Sequence, residues 1–169
     1  MKFYKYGFWI VLLLLVVLLI LNLSRTWPPR EKIIGPPPVE TIRQHIEQNY
    51  KNLSDLFAAD NFESIAGLYR AGAVFSPPGE VQQRGKSEAQ NFWKRLKEAG
   101  VVEVQFTILE FFVEGEVSYD LTEYQFMKKS EEGEITNSTG NALTVWRHRV
   151  ECPREIELQN FNMLKEVVK

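Results

Sequence analysis

The sequence predicts an α+β protein: three helices followed by an antiparallel sheet, with one transmembrane helix ahead of them. Three observations lead to this prediction. Between residues 39 and 96 apolar side chains recur every three or four positions, as on one face of a helix. From residue 102 they alternate with polar side chains, as in a strand. Residues 6–24 carry no charge. Helices first and strands afterwards favour one sheet with helices on one face.

The uncharged run at residues 6–24 has the length of a membrane-spanning helix. At about 1.5 Å per residue it covers close to the roughly 30 Å of bilayer hydrocarbon. Tyr4, Tyr6 and Trp9 cluster at one end, where aromatic rings favour the interface. A cleaved signal peptide is the alternative, but the run exceeds a typical apolar region and no small-x-small cleavage site follows it. We therefore expect an uncleaved single-pass membrane anchor within residues 1–26.

The charges on either side of this predicted span leave its orientation nearly balanced. Lys2 and Lys5 lie before the span, and Arg25, Arg30 and Lys32 follow it. A short amino terminus with two lysines favours the cytoplasmic side. This would place the amino terminus in the cytoplasm and export the domain.

Residues 27–38 read WPPREKIIGPPP and separate the anchor from the rest of the chain. Five prolines and a glycine exclude a helix or a central strand and favour an extended, stiff spacer. We therefore expect a proline-rich linker at 27–38 and a single domain at 39–169. Its length, about 130 residues, is that of one ordinary domain.

The distribution of charge argues against a nucleic-acid partner. The first 32 residues carry five basic side chains and one acidic one, and the rest carry 15 basic and 21 acidic ones. The domain is therefore acidic, and no basic stripe is visible that could follow a phosphate backbone.

Cysteine and histidine are too few to indicate a redox or metal site. Cys152 is the only cysteine, so no intrachain disulfide can form, and a nucleophilic role would need a nearby histidine. His45 and His148 have no second ligand at metal-binding spacing. We expect no metal and no cofactor.

Three helices are predicted between residues 39 and 100. The first has an apolar stripe formed by Val39, Ile42, Ile46, Tyr50, Leu53 and Phe57. Asp60 with Glu63 fits a capping pattern for the second helix, and Ser87 with Gln90 fits one for the third. A brief strand at 73–75 lies between the second and third helices.

The remaining chain is predicted to form a meander of strands. The first of these runs over residues 102–112 and the next over 117–128. A polar stretch at 129–140 is typical of a hairpin loop, and strands follow at about 141–150 and 155–163.

Glu110 is the candidate catalytic residue and a candidate ligand-binding residue. It falls in phase with Phe106, Ile108 and Phe112, on a strand face that is otherwise apolar. If that face lines an interior, burial would raise the pKa of Glu110 and allow it to act as a base or a hydrogen-bonding anchor. The alternative is an exposed strand position or an ion pair with an arginine such as Arg147.

Aromatic side chains could line a pocket for a flat apolar ligand. Besides Tyr50, the candidate ligand-binding residues are Tyr69, Trp93, Tyr124 and Trp146. Their helical and strand spacing also suits packing in the core, which is the commoner use of a buried aromatic ring.

The order of these segments resembles the SnoaL-like, ketosteroid-isomerase-like branch of the nuclear-transport-factor-2-like superfamily. The matching segments are LFAADNF at 56–62, IAGLY at 65–69, AVFSPPG at 73–79, RGK at 84–86, FW at 92–93, Gly140 ahead of TVWR at 144–147, and NFN at 160–162. The resemblance implies a curved sheet wrapped around a helix as a cone with a pocket at its open end. It also implies a possible homodimer.

The resemblance does not carry over the isomerase reaction. Leu53, Pro77 and Thr144 stand where the isomerases have a tyrosine, a carboxylate base and an acidic donor. Neither leucine nor proline has a proton to transfer, and threonine is a poor acid. We therefore expect a membrane-anchored domain that binds a small apolar molecule or another protein through its cone. The alternative is an isomerase, cyclase or hydrolase-like enzyme that uses Glu110 as an acid or base.

Overall fold

The computed structural model describes residues 37–130, 132–149 and 152–168. The predicted transmembrane helix at 6–24 lies outside these residues, as do residues 27–36 of the predicted linker. Within the described residues, no helix combines the length and the apolar character needed to cross a membrane. The membrane anchor therefore stays a prediction.

The three predicted helices are present. They are α1 (Val39–Ala58), α2 (Phe62–Gly67) and α3 (Lys86–Glu98). The predicted apolar stripe of α1 is buried from Ile42 to Phe57, whereas Val39 is exposed. In α3 the buried side chains are Ala89, Phe92 and Trp93. Each helix therefore turns one face to the core.

Both predicted helix caps are wrong. Asp60 has a positive φ of 57° and closes the turn after α1, so the cap of α2 falls one residue later. There the Asn61 side chain accepts a hydrogen bond from the Ser64 amide at 3.1 Å. Ser87 lies inside α3, which begins after Gly85. Gly85 has a φ of 90° and no capping side chain, and it donates its N–H to the Ala73 carbonyl at 2.8 Å.

Six strands form one curved sheet in the order β2-β1-β6-β5-β4-β3. Their bounds are β1 Tyr69–Ser76, β2 Gln83–Arg84, β3 Val101–Glu114, β4 Val117–Lys129, β5 Ile135–Arg149 and β6 Cys152–Val168.

The strands β3 to β6 are the predicted antiparallel meander, but two features differ from the prediction. First, β1 pairs with β6 in parallel, so the sheet is not purely antiparallel. Second, the predicted loop at 129–140 shortens to a turn, because β5 already begins at Ile135. The polar residues 135–140 pair with β4 despite their loop-like composition.

A bulge in β3 decides which side chains face the helices. The pairing of β3 with β4 shifts between Ile108 and Glu110, leaving Leu109 as the extra residue. Before the bulge Phe106 and Ile108 pack against the core, and after it Phe111 and Val113 do so. The side chains of β3 that face inwards therefore belong to even-numbered residues before the bulge and to odd-numbered residues after it.

The core lies between the helices and the inner face of the sheet. It is rich in aromatic rings: Trp93 makes edge-to-face contacts with Phe57, Phe126 and Phe161 at centroid distances of 6.1 to 6.2 Å. This packing defines the side of the sheet that faces the helices, and the buried polar side chains described below lie on that side.

Candidate functional site

Four of the predicted ligand-binding residues lie inside the core. Tyr69, Trp93, Tyr124 and Trp146 all have zero relative exposure. Their rings contact one another or other aromatic side chains, such as Phe161 against Tyr124 at 5.3 Å. These four side chains belong to the aromatic core of the described residues, and their role as ligand-binding residues stays a prediction.

A chain of hydrogen bonds crosses this interior. Trp93 Nε1 donates to Tyr69 Oη at 3.1 Å, and Tyr69 Oη donates to Gln159 Oε1 at 2.6 Å. Gln159 Nε2 in turn donates to Thr144 Oγ1 at 3.3 Å. The chain therefore links α3 to β1, β6 and β5 through buried polar atoms.

The same chain continues to a buried carboxyl group, Asp120 on β4. Tyr50 Oη lies 2.9 Å from Thr144 Oγ1 and donates to Asp120 Oδ1 at 2.8 Å. The other carboxyl oxygen, Asp120 Oδ2, accepts a hydrogen bond from Trp146 Nε1 at 2.5 Å. Both oxygens of this fully buried group thus have a donor.

Burial raises the pKa of Asp120 to about 6, although the hydrogen bonds from Tyr50 and Trp146 act in the opposite direction. Burial, followed by the nearby charge of Asp120, also raises the pKa of Tyr50 well above its usual value. Asp120 can therefore gain or lose a proton close to neutral pH, whereas Tyr50 stays a hydrogen-bond donor.

Glu110 does not belong to this interior. It is exposed on the outer side of β3, beyond the bulge that changes the inward-facing positions. Of the two alternatives for Glu110, burial on an apolar face and an exposed strand position, the structure has the second, because the alternation before Leu109 does not extend past it. Phe112, predicted to share the inner face, is likewise outside, with 49% of its surface exposed.

A shallow groove of about 250 Å³ runs between α1 and β3. It is lined by Glu47, Tyr50, Lys51, Ser54, Gln105, Phe106, Thr107 and Ile108. Of the predicted pocket residues Tyr50 lines it, whereas Tyr69, Trp93, Glu110, Tyr124 and Trp146 do not. Tyr50, whose ring stacks on Phe106 at 4.8 Å, connects the groove to Asp120.

Tyr124 differs from the other buried tyrosines. Its hydroxyl oxygen is buried and has no hydrogen-bond partner among the described residues. Burial raises the pKa of Tyr124 to about 12. Its ring lies over Gly140, where an added Cβ would overlap the phenol and the Asn162 carbonyl oxygen. The ring thus fits only because residue 140 has no side chain.

The outer face of the sheet carries an apolar patch. Phe112, Tyr119, Val145 and Leu158 are paired in a row across β3, β4, β5 and β6. In the adjacent row Leu121 pairs with Leu143, which is 43% exposed. We call these six residues the outer apolar patch. In the described residues no helix covers it.

Metal-binding groups are not brought together in the part of the chain that the structure describes. No cluster of three histidine, cysteine or acidic side chains occurs there. His45 is exposed on α1.

Comparisons with known proteins identify the fold. No family model and no curated protein sequence matches the chain. Solved structures do match. One is a nuclear transport factor 2-like superfamily protein from Salmonella enterica serovar Typhimurium, with a TM-score of 0.62 and 15% identity over 76% of this chain and 94% of that one. The domain has a nuclear-transport-factor-2-like fold.

Two further structures support the same fold. A nuclear-transport-factor-2-like protein with a cystatin-like fold from Novosphingobium aromaticivorans has a TM-score of 0.63 and 12% identity, covering 78% of this chain and 93% of that one. A proposed dehydratase of the same family from Streptomyces avermitilis has a TM-score of 0.63 and 12% identity, covering 75% and 99%. Identities this low establish the fold alone.

Proposed function

We propose that this protein is a membrane-tethered, non-catalytic interaction domain that associates with a second copy of itself through the outer apolar patch. The observation that carries the proposal is the row from Phe112 to Leu158, four outward-facing apolar or aromatic side chains in register. A sheet face that meets water is normally polar, and a contiguous exposed apolar patch marks an interaction site.

The interior supports the same conclusion. A ligand pocket needs free space and polar groups that are available to a ligand. Here the candidate aromatic side chains are fully buried and pack against other rings, and the oxygens of Asp120 already accept hydrogen bonds from Tyr50 and Trp146. Binding is therefore better supported on the outside of the sheet than within it.

A second copy fits the patch by its chemistry. Four strands at about 4.8 Å and two rows of outward residues about 6.8 Å apart give an apolar centre of roughly 260 Å², so that an interface of the approximately 800 Å² per partner found in stable dimers would also include the polar residues around it. The apolar rows are flanked by polar groups, including the ion pair of Arg147 with Glu157. Lysine is absent from these rows while Glu110 and Glu123 flank them, which disfavours an anionic membrane surface. Two sheet faces related by a two-fold axis can pack in this way.

The tether is supported by the uncharged run at 6–24 and the proline-rich stretch at 27–38. Anchoring confines the domains to two dimensions and raises their effective concentration. Resistance of the full chain to alkaline carbonate extraction from membranes tests the anchor. A reporter fused after Lys169 tests the proposed export of the domain.

Site-specific photo-crosslinking in membranes tests the proposed association. A photoreactive amino acid at Leu143 in the full chain should give a product of twice the monomer mass, whereas the same probe at exposed Glu63 on α2 should not. The substitution Phe112→Glu, combined with the probe at Leu143, should abolish the product. A product of any other mass would contradict self-association, and no product at all would contradict an interaction role for the patch.

A second candidate function is favoured by one observation, the carboxyl group of Asp120 with its raised pKa. An enzyme could use Asp120 as an acid or base if a substrate entered from the groove and displaced Tyr50. Calorimetric titration with a flat phenol such as 2-naphthol tests this. Binding that is lost in Asp120→Asn and kept in Leu143→Glu would favour the enzyme.

A further inference from the structure

The free edge of β3 is a second unusual surface, distinct from the outer apolar patch. β3 is the last strand of the sheet and pairs only with β4 among the described strands. Between its two irregularities, residues 103–108 pair with β4 in unbroken register. Within the described residues, the backbone groups of this segment make no hydrogen bond other than those to β4. About half of them point away from β4 and are unpaired.

The groove described above runs along this edge. Four consecutive residues of β3, from Gln105 to Ile108, form one wall, and one face of α1 forms the other. The floor is apolar, with Tyr50, Phe106 and Ile108, whereas the rim carries the opposite charges of Glu47 and Lys51. Unpaired backbone groups beside a side-chain groove are the two elements of recognition by strand addition.

Charge indicates which kind of strand would fit. The segment from Val101 to Glu116 contains Glu103, Glu110, Glu114 and Glu116 and no basic residue. A second copy of the same edge would bring like charges together, which opposes pairing between copies. Within residues 103–108 Glu103 is the one charged residue, so a peptide with a basic side chain opposite Glu103 would be favoured.

We propose that the edge of β3 at residues 103–108 binds an extended, basic peptide segment of a partner protein as an added strand. One apolar side chain of the peptide enters the groove against Tyr50, Phe106 and Ile108. The basic side chains alternate with the apolar ones and lie on the outer side of β3, where one of them faces the exposed Glu103 and the others lie beside the polar Gln105 and Thr107. The two irregularities restrict the peptide to about six residues.

Fluorescence polarisation with a labelled hexapeptide, Lys-Val-Lys-Val-Lys-Val, tests the proposal on the full chain in detergent micelles. We expect this peptide to bind and the matched Glu-Val-Glu-Val-Glu-Val peptide not to bind. Glu103→Lys should weaken the binding, and Glu63→Lys, the same charge reversal at an exposed position on α2, should leave it unchanged. Absence of binding up to about 1 mM, the range of very weak complexes, would overturn the proposal.

N-methylated peptides separate strand addition from simple charge attraction. In an added strand, alternate amides point towards β3 and the others point to solvent. Methylation of one alternate set should therefore weaken binding by about tenfold or more, whereas methylation of the other set should be tolerated. Equal loss, or equal retention, with both sets would overturn the proposal.

Discussion

The two faces of β4 between residues 117 and 122 invert the usual distribution of polarity. Ser118, Asp120 and Thr122 point inwards and are fully buried, whereas Tyr119 and Leu121 point outwards. The buried polar side chains are tolerated where partners are supplied, as for Asp120 and for Thr122, which donates to the Ala142 carbonyl at 3.1 Å. Ser118 Oγ is buried without a hydrogen-bond partner among the described residues. On the outer face Tyr119 stacks on Phe112 at a centroid distance of 5.2 Å, and no helix of the described residues covers these rings. The inner face thus packs within one copy, whereas the outer face is the one that we propose a second copy covers.

The largest expected effect is on the inner face, at Trp93. Trp93→Ala removes a fully buried indole that also donates to Tyr69, and we expect it to lower the free energy of unfolding by about 3–5 kcal/mol. Phe112→Ala is the matched outer change and should cost about 1 kcal/mol or less in dilute monomer. Urea unfolding of both variants checks this. If both variants lost the same free energy of unfolding, the inner face would not be more important for stability than the outer face, contrary to the prediction.

The next largest expected effect is a pH dependence of the free energy of unfolding that arises from Asp120. Its pKa in the folded protein is about 6, above the usual value of 3.8 for an aspartic acid, so the folded state binds the proton more tightly than the unfolded state. Stability should therefore decrease as the pH rises from about 4 to about 6, by about 2–3 kcal/mol, and then level off.

Asp120→Asn is the control for this pH dependence. Asparagine has no proton to lose in this range. The free energy of unfolding of the wild type, measured relative to that of the variant, should therefore show the full decrease between pH 4 and 6. Chemical unfolding at half-unit pH steps measures it. A difference that is independent of pH would show that Asp120 does not titrate in this range.

A smaller contrast separates two buried tyrosines. Tyr69→Phe should lower the free energy of unfolding by about 1–3 kcal/mol, because Gln159 and Trp93 both lose a partner. Tyr124→Phe removes a hydroxyl that has no partner among the described residues, and should be neutral or stabilising by up to about 1 kcal/mol. Thermal unfolding of the two variants compares them. A clear loss with Tyr124→Phe would reveal a partner for that hydroxyl.

The smallest effect is expected at Glu110. Because its side chain is exposed on the outer side of β3, Glu110→Gln should leave unfolding within experimental error of the wild type. A loss as large as that of Tyr69→Phe would restore the original hypothesis of a buried functional carboxylate.

The helices and the meander could be predicted from periodicity, because each contains several turns or alternations of apolar residues. The bulge that exposes Glu110 could not, because Leu109 is apolar and its insertion leaves no break in the apolar pattern, so the sequence left both burial and exposure of Glu110 open. Asp120 was not predicted for a related reason. On β4 the apolar residues Tyr119 and Leu121 indicate the wrong face, and only the tertiary partners Tyr50 and Trp146 make burial of the carboxyl group possible.

The space beside Gly140 is occupied from two sides. A Cβ on residue 140 would overlap both the phenol of Tyr124 and the main-chain carbonyl oxygen of Asn162 on β6. A smaller residue at 124 would remove only the first of these overlaps, because the carbonyl oxygen belongs to the backbone of the neighbouring strand. In natural variants of this protein we therefore expect glycine to persist at 140 even where residue 124 changes.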